Sequence, residues 1–376
     1  MNFDLTDEQA MLRDTTRGLL AQTYGAERGI AIRTAPDWDP AVWKQLAELG
    51  LLGLPFPEED GGMGAGPVET MVVMTEVGHA LAVEPFLDTV VIGGGLIADG
   101  GSTAQRAHYL PRVAAGTALL AFAHDEPGSR WPHQRVETTA TRGADGWVVT
   151  GTKNPVLRGD RADTLIVSAT LPDGGVGLFL IAAEGTGVTR RSYATCDGLT
   201  GAQVEFAAAA AEPLGDGGDA SSLITGTQVR ALAGLCAEAV GAMTEALRLT
   251  TEYLTQRKQF GVPLAKFQTL TQRAADMYVS LELATSMSLY ATLSLADGVI
   301  DPAIASRAKL QISNAARHIG QEAIQLHGGI GMTAEYPVGH YVSRLTAIGQ
   351  TLGGSADHLR ILANDVGGHD MIAVTP

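Results

Sequence analysis

Apolar residues fall three and four apart towards both ends of this chain and alternate with polar ones in its middle. That pattern predicts helices, then short strands, then long helices. Near the start, Thr6-Asp7-Glu8-Gln9 has the form of a capping box ahead of an apolar face with Met11, Leu12, Leu19 and Leu20. A second helix is expected over 40–49, with Val42, Leu46 and Leu49 on one face. Gly and Pro break the pattern over 55–67, and a third helix follows over 68–82 with Met71, Met74 and Val77 inward.

From about residue 117 the period changes. Residues 137–142 and 147–150 flank Asp145-Gly146, and residues 164–169 and 177–182 flank Asp173-Gly174-Gly175; both read as hairpins. Short strands with turns at such spacing predict a small sandwich or barrel. From about residue 221 the helical period returns. Val229, Leu232, Cys236, Ala239, Met243 and Leu247 form one stripe, and Leu270, Ala274, Met277 and Leu281 a second. Asp301-Pro302 reads as an N-cap with proline at the first helical position, ahead of Ile304, Ala308, Ile312, Ala315, Ile319 and Ala323. Gly328-Gly329 ends that helix. Stripes of this kind need partner helices, so a bundle is expected. The order implies domains over 1–116, 117–220 and 221–376.

Composition narrows the function. The 376 residues carry 26 basic and 41 acidic side chains, a net charge of −15, which argues against a nucleic-acid partner. Local arginines and helix N-termini can still hold an anionic ligand. Charged residues make up only 18% of the chain, so much surface is expected to be buried against other subunits. The two cysteines, Cys196 and Cys236, supply neither a disulfide framework nor a metal cluster and suit a reducing, cytoplasmic setting. The first residues lack the basic and apolar regions of a signal peptide, and no apolar run reaches the roughly 18 residues of a membrane span. His124, His133, His318 and His327 show no metal-ligand spacing. Gly93-Gly94-Gly95 is not followed by a dinucleotide fingerprint.

Two motifs are more specific. One is Arg257-Lys258-Gln259-Phe260-Gly261 followed by Phe267-Gln268; the other is Gln325-Leu326-His327-Gly328-Gly329-Ile330-Gly331-Met332 followed by Glu335-Tyr336-Pro337. Together with Leu49-Gly50-Leu51-Leu52-Gly53-Leu54-Pro55 and Glu58-Glu59-Asp60-Gly61-Gly62, they resemble the acyl-CoA dehydrogenase family over essentially the whole chain. The resemblance implies an α+β, mainly α fold: an N-terminal helical domain, a middle β-sandwich or barrel and a C-terminal four-helix bundle. It also implies FAD-dependent desaturation of an acyl-CoA thioester at Cα–Cβ, with an electron-transfer-flavoprotein-like acceptor. Arg257 suits a pyrophosphate, onto which a guanidinium forks. Phe260 and Phe267 suit adenine, and Gly328-Gly329 permits close backbone approach. In the family such residues, here with Gln259, Gln268 and Gln325, serve the FAD of a neighbouring subunit, so an oligomer is implied.

The chain departs from the family at the chemistry itself. The resemblance calls for a glutamate base shortly before a C-terminal helix. The count from Gly329 puts Leu352 there, or Gly353 with a one-residue gap, and neither accepts a proton. Some members carry the glutamate on the long helix before Arg257; here that position falls near Ala231. The nearest carboxylates are Glu238, Glu245 and Asp357. The FAD-binding loop of the β domain reads Asp125-Glu126-Pro127-Gly128-Ser129, which keeps Glu126 and Ser129 for the cofactor but puts Asp125 where the family has Thr. Pro155 and Leu157 stand where an aromatic and a Thr would meet the flavin, and neither side chain hydrogen-bonds. The runs 338–346 and 357–360 resemble the base-lacking small subunits of heteromeric acyl-CoA dehydrogenases, such as those for pimeloyl-CoA, which are associated with dicarboxyl- or steroid-side-chain-CoA. The expectation is a base-lacking subunit paired with a related chain in a heterotetramer. A self-sufficient homo-oligomer with an unusual base stays open, as does a CoA-ester or partner-binding module without redox chemistry.

Overall fold

In a computed structural model, residues 4–24, 38–128, 135–143 and 146–366 are described. Helix α1 (Asp7–Thr23) starts where the capping box predicts: Gln9 N–H donates to Thr6 Oγ1 at 3.2 Å and Thr6 N–H donates to Gln9 Oε1 at 3.0 Å. Thr16 and Leu20 face the core, but Met11 is 66% exposed. It sits about 100° round the helix from the Leu12–Thr16–Leu20 line, so its placement on the buried face is corrected. Helix α2 (Pro40–Glu48) is capped by Asp39 and buries Val42, Trp43 and Leu46. Leu49 lies past its end, where the chain turns at left-handed Gly50, and is exposed, not buried. Helix α3 (Pro67–Ala80) follows, with Met74 and Val77 buried.

The pattern gave no warning of the next element. Residues Phe86–Gly94 form a wide π-helical run that flows into α4 (Gly95–Gly100) and then α5 (Thr103–Ala114). Every residue of the run except Asp88 is buried. A segment apolar on all sides has no amphipathic period to read.

The middle of the chain supplies β1 (Leu120–Ala123), β2 (Thr139–Gly143), β3 (Gly146–Leu157), β4 (Thr164–Thr170), β5 (Val176–Ala182), β6 (Val188–Ala194) and β7 (Thr200–Pro213). The two hairpins pair as expected, Thr139 with Thr150 and Thr164 with Ala182, although Asp145 itself lies outside the described residues. Beyond them, β3 pairs with β7, β7 with β5, β5 with β4 and the end of β4 with β2, so the sheet closes on itself as a barrel. Strand β1 adds to β4 in parallel and β6 to β7 antiparallel. Val149, Val167, Phe179 and Val204 fill its core.

The remaining helices are α6 (Ser221–Gln256), α7 (Gln268–Ala296), α8 (Pro302–His327), α9 (Val338–Ile348) and α10 (Ser355–Asp365), with a two-stranded hairpin, β8 (Lys258–Gln259) and β9 (Val262–Pro263), after α6. Asp301 caps α8, accepting from Ala303 N–H at 2.7 Å, and Gly328 ends it at φ 66°. The predicted α6 stripe is buried, and much of the rest of that helix with it. Where α3 crosses α6, the backbones touch. A methyl group on Gly241 would lie 1.9 Å from Thr75 O, and one on Gly78 1.9 Å from Glu238 O. No helix among the described residues is long and apolar enough to cross a membrane.

One polar network is buried in the β region. Lys153, fully buried, donates to Glu126 Oε1 (2.7 Å), His124 O (3.0 Å) and Ser168 Oγ (3.0 Å). Burial holds Lys153 down at about 8, against the pull of Glu126. Burial and the Lys153 charge hold His124 down at about 4, so the ring is neutral near pH 7.

Two outcomes follow from this packing. Gly241→Ala forces α3 and α6 apart and lowers stability by about 1–3 kcal/mol in urea unfolding; an unchanged midpoint would mean the backbones do not touch there. His124 binds its proton less readily folded than unfolded, so its stabilising contribution is full above the ordinary pH of 6.5 and is lost as pH falls towards 4. Between pH 7 and 5 that loss amounts to about 2 kcal/mol. His124→Asn shrinks the measured loss over that interval by a similar amount, whereas equal losses in variant and parent would contradict a half-buried ring held neutral.

Candidate functional site

A cleft opens between the barrel and α6, and every departure noted in the sequence converges on it. Strand β3 shifts its register on β7 between Lys153 and Val156, so residues 154–155 bulge, and Pro155 at the bulge brings no N–H to the cleft. Pro155 and Leu157 line one wall. Ala231 of α6 and Leu352 of the α9–α10 loop also line the cavity, so both places counted for a base face the same space. Gly353, the other count, is buried behind it. The cavity measures about 60 Å³, far below the roughly 300–1,000 Å³ of small-molecule sites.

The Leu352 loop is firmly held. Leu352 and Gly353 adopt left-handed φ of 55° and 95°. The Leu352 carbonyl pairs with His358 Nε2 at 2.9 Å, the Gly353 carbonyl accepts from Lys309 Nζ at 2.8 Å, and Gly354 N–H donates to Asp357 Oδ2 at 3.0 Å. Burial holds Lys309 down at about 8.

The carboxylates named in the sequence as nearest to the base position do not line this cleft. Glu238 accepts from Arg344 Nε (2.6 Å) and Nη2 (2.9 Å), while Arg344 Nη1 reaches Asp197 Oδ2 at 2.7 Å. Glu245 is bound by Arg248 at 2.6 Å and lies 3.4 Å from His79. Asp357 caps α10. Two other carboxylates do line the cleft, Asp88 and Asp125. Asp88 also borders an adjoining pocket of about 50 Å³ that contains Arg158, Asp197 and Arg344. Burial holds the Asp88 carboxyl above the ordinary range, opposed by Arg158 and Arg344. The sequence offered one signal for it, a lone acid inside the apolar run 86–92.

In the FAD-binding loop, Glu126 turns inward. Besides Lys153, it accepts from Glu137 N–H (2.7 Å) and Thr138 N–H (2.9 Å). Burial would raise its carboxyl, but the Lys153 and Thr138 hydrogen bonds prevail and hold it low. Ser129 lies outside the described residues.

The other predicted residues gather at one end of the bundle. Tyr253, one turn before Arg257, stacks on His327 at 4.6 Å, and Tyr336 packs against His327 at 4.9 Å, which brings the two motifs together. Arg257, Gln259, Gln268, Gln325, Gly328 and Gly329 are all exposed there. Phe260 is 92% exposed, and its ring meets that of Phe267 edge-on at 6.2 Å. Phe260 and Gly261 form the two-residue turn of the β8–β9 hairpin, both at positive φ (53° and 83°). For Phe that conformation costs on the order of 1–3 kcal/mol. A methyl group on Gly328 or Gly329 would meet nothing within 4 Å, so the backbone there is open to a ligand. A guanidinium, a presented aromatic ring and open glycine backbone fit the adenine and phosphate portion of FAD. The cleft does not fit the flavin ring: it is too small, and Pro155 and Leu157 offer no hydrogen bonds.

The acyl-CoA dehydrogenase N-terminal domain family matches residues 6–117, and the C-terminal domain family matches residues 229–366. The probable acyl-CoA dehydrogenase YngJ of Bacillus subtilis is 30% identical over 90% of this chain and 92% of its own. Among solved structures, the Tcur3481-Tcur3483 steroid ACAD G363A variant is 31% identical with a TM-score of 0.87, covering 96% of this chain and 98% of its own. The ChsE4-ChsE5 complex from Mycobacterium tuberculosis is 25% identical with a TM-score of 0.90, covering 99% of this chain and 100% of its own. With both terminal regions matched and the likeness spanning nearly its full length, this chain belongs to the acyl-CoA dehydrogenase family of FAD-dependent oxidoreductases acting on acyl-CoA.

Proposed function

We propose that this chain is the base-lacking subunit of a heteromeric acyl-CoA dehydrogenase, which desaturates a bulky acyl-CoA, of the dicarboxyl or steroid-side-chain class, in a site completed by a related chain. One observation carries this reading: Leu352 and Ala231, the two base positions, face a cleft of about 60 Å³ beside Pro155 and Leu157. The opposite end of the molecule supports it. Arg257, Phe260, Gln325 and Gly328-Gly329 stand exposed, where they would hold the adenine and phosphates of FAD. Two of the similar structures carry two-chain names, and one of these is called a steroid ACAD. FAD, when bound, would supply the hydride acceptor for the substrate's Cβ, the glutamate of the related chain would take the Cα proton, and an electron-transfer-flavoprotein-like carrier would take up the electrons.

A second reading has one observation behind it. Asp88 is a carboxylate of this same chain in the cleft, its carboxyl held above the ordinary range by burial. A self-sufficient enzyme would use it as the base.

Co-expression with a related glutamate-bearing chain separates the two. Alone, this chain is expected to purify colourless and without turnover. The mixed assembly is expected to hold half the flavin of one in which every chain binds its own, and to oxidise acyl-CoA. Within it, Arg257→Met weakens FAD retention by about tenfold or more, as loss of a charge-assisted contact should, while Asp88→Asn leaves turnover intact. Ordinary turnover by the lone chain, abolished by Asp88→Asn, would overturn the first reading and establish the second.

A further inference from the structure

The small pocket that meets the cleft at Asp88 holds two charged groups that the rest of the chain leaves largely unanswered. We propose that Arg158 and Asp88 together bind the carboxylate of a free, short aliphatic acid, of about two to four carbons.

Arg158, just past β3, is 7% exposed and lines the pocket. Among the described residues its guanidinium makes one hydrogen bond, from Nη2 to the Val83 carbonyl, and no ion pair. Asp88 is the strongest charge acting on it, yet the two are not in contact, and the Asp88 carboxyl meets only its own backbone N–H. The unpaired nitrogens of Arg158 and the oxygens of Asp88 keep accessible surface, unlike the sealed hydroxyls of Ser288 and Thr292. The space that both residues line is this pocket.

The neighbouring charges are already answered. Arg344 is held by Glu238 and Asp197. Asp160 accepts from Thr200 Oγ1 at 2.9 Å and lies 3.4 Å from Arg161. Glu84 accepts from Tyr24 at 2.7 Å. On the cleft side stand Asp125 and His124, whose ring is neutral near pH 7. Arg158 and Arg344 balance Glu238 and Asp197 in formal charge, so a second carboxylate enters beside Asp88 only if one proton is shared between them. Burial already holds the Asp88 carboxyl above the ordinary range, against Arg158 and Arg344 and with help from Glu238. A ligand carboxylate then finds the N–H groups of Arg158 for one oxygen and the Asp88 O–H for the other. A phosphate brings a second charge that nothing here balances.

Size and polarity set the rest of the ligand. The pocket measures about 50 Å³ and the cleft about 60 Å³. A cavity of roughly 150 Å³ takes a benzene-sized molecule, so each space takes about two or three heavy atoms. The carboxyl group fills the pocket, and a short alkyl tail lies in the cleft against Leu157 and Leu352.

The test titrates the purified full-length chain with propionate by calorimetry, in buffers of different protonation enthalpy, from about pH 6 to 9, where the acid stays ionised. Saturable binding on the order of 1 mM is expected. It should take up protons and weaken, by up to about tenfold per pH unit, as Asp88 loses its proton. Asp88→Asn offers a permanent N–H donor, so propionate still binds but without proton uptake or pH dependence. Asp88→Leu offers none and should weaken binding about tenfold, and Arg158→Met by at least about as much. Melting temperatures accompany each variant because Arg158 also supports Val83; if Arg158→Met does not fold, the two Asp88 variants decide. No flavin, partner chain or turnover enters this measurement, so its outcome is independent of the heteromeric assignment. Absence of saturable binding to the parent chain, as for a pocket holding water only, would overturn the proposal. So would a pH slope retained in Asp88→Asn, or propionamide binding as tightly as propionate.

Discussion

Arg344 sets the relation between the parts of this molecule. Its guanidinium grips both oxygens of Glu238 on α6 and one oxygen of Asp197 in the β6–β7 connection, so one α9 side chain ties bundle to barrel. Burial works against its charge, but the two carboxylates outweigh that and hold its proton on more tightly than usual. Removing one partner from a buried network of this kind leaves an uncompensated charge, which typically costs about 3–5 kcal/mol. Arg158, which donates to the Val83 carbonyl, and Thr89, which donates to the Leu120 carbonyl, add further ties between the β region and the helices. Arg344 and Asp197 also line the small pocket that meets the cleft at Asp88, so the space beside the cleft contains charged side chains.

Much of the architecture was readable because local chemistry marks element ends. Thr6 with Gln9, Asp39 ahead of Pro40, Asp301 ahead of Pro302 and Gly328 all cap or stop helices as their side chains and backbone freedom require. The failures share a cause, which is that three-dimensional partners are invisible along the chain. The π-helical run 86–94 is buried everywhere except at Asp88 and therefore carries no period. Barrel closure depends on β5 meeting both β4 and β7, a long-range event that no turn residue announces. Met11 and Leu49 are apolar yet point outward, since hydrophobicity alone does not exclude exposure.

The candidate site divides along the same line. Arg257, Phe260 and Gly328-Gly329 were legible as exposed residues near the ends of long helices, and they do stand clear of the core. The positions counted for a base, Leu352 and Ala231, both line the cleft and were legible by spacing alone. Asp88 was not, because only the fold brings the N-terminal helices against α6 and the Leu352 loop. The fate of Glu126 was equally hidden: its partner Lys153 lies 27 residues along the chain and meets it only once the barrel has formed.

Helix α6 carries a final consequence. It runs unbroken from the cleft, where it contributes Ala231, through its backbone contact with α3 at Gly241, to Arg257 at its end. At 1.5 Å per residue those two positions stand about 39 Å apart on one stiff rod. That rod acts as a ruler. It fixes the spacing between the cleft and the exposed aromatic end of one polypeptide, so neither end can move relative to the other unless the helix bends.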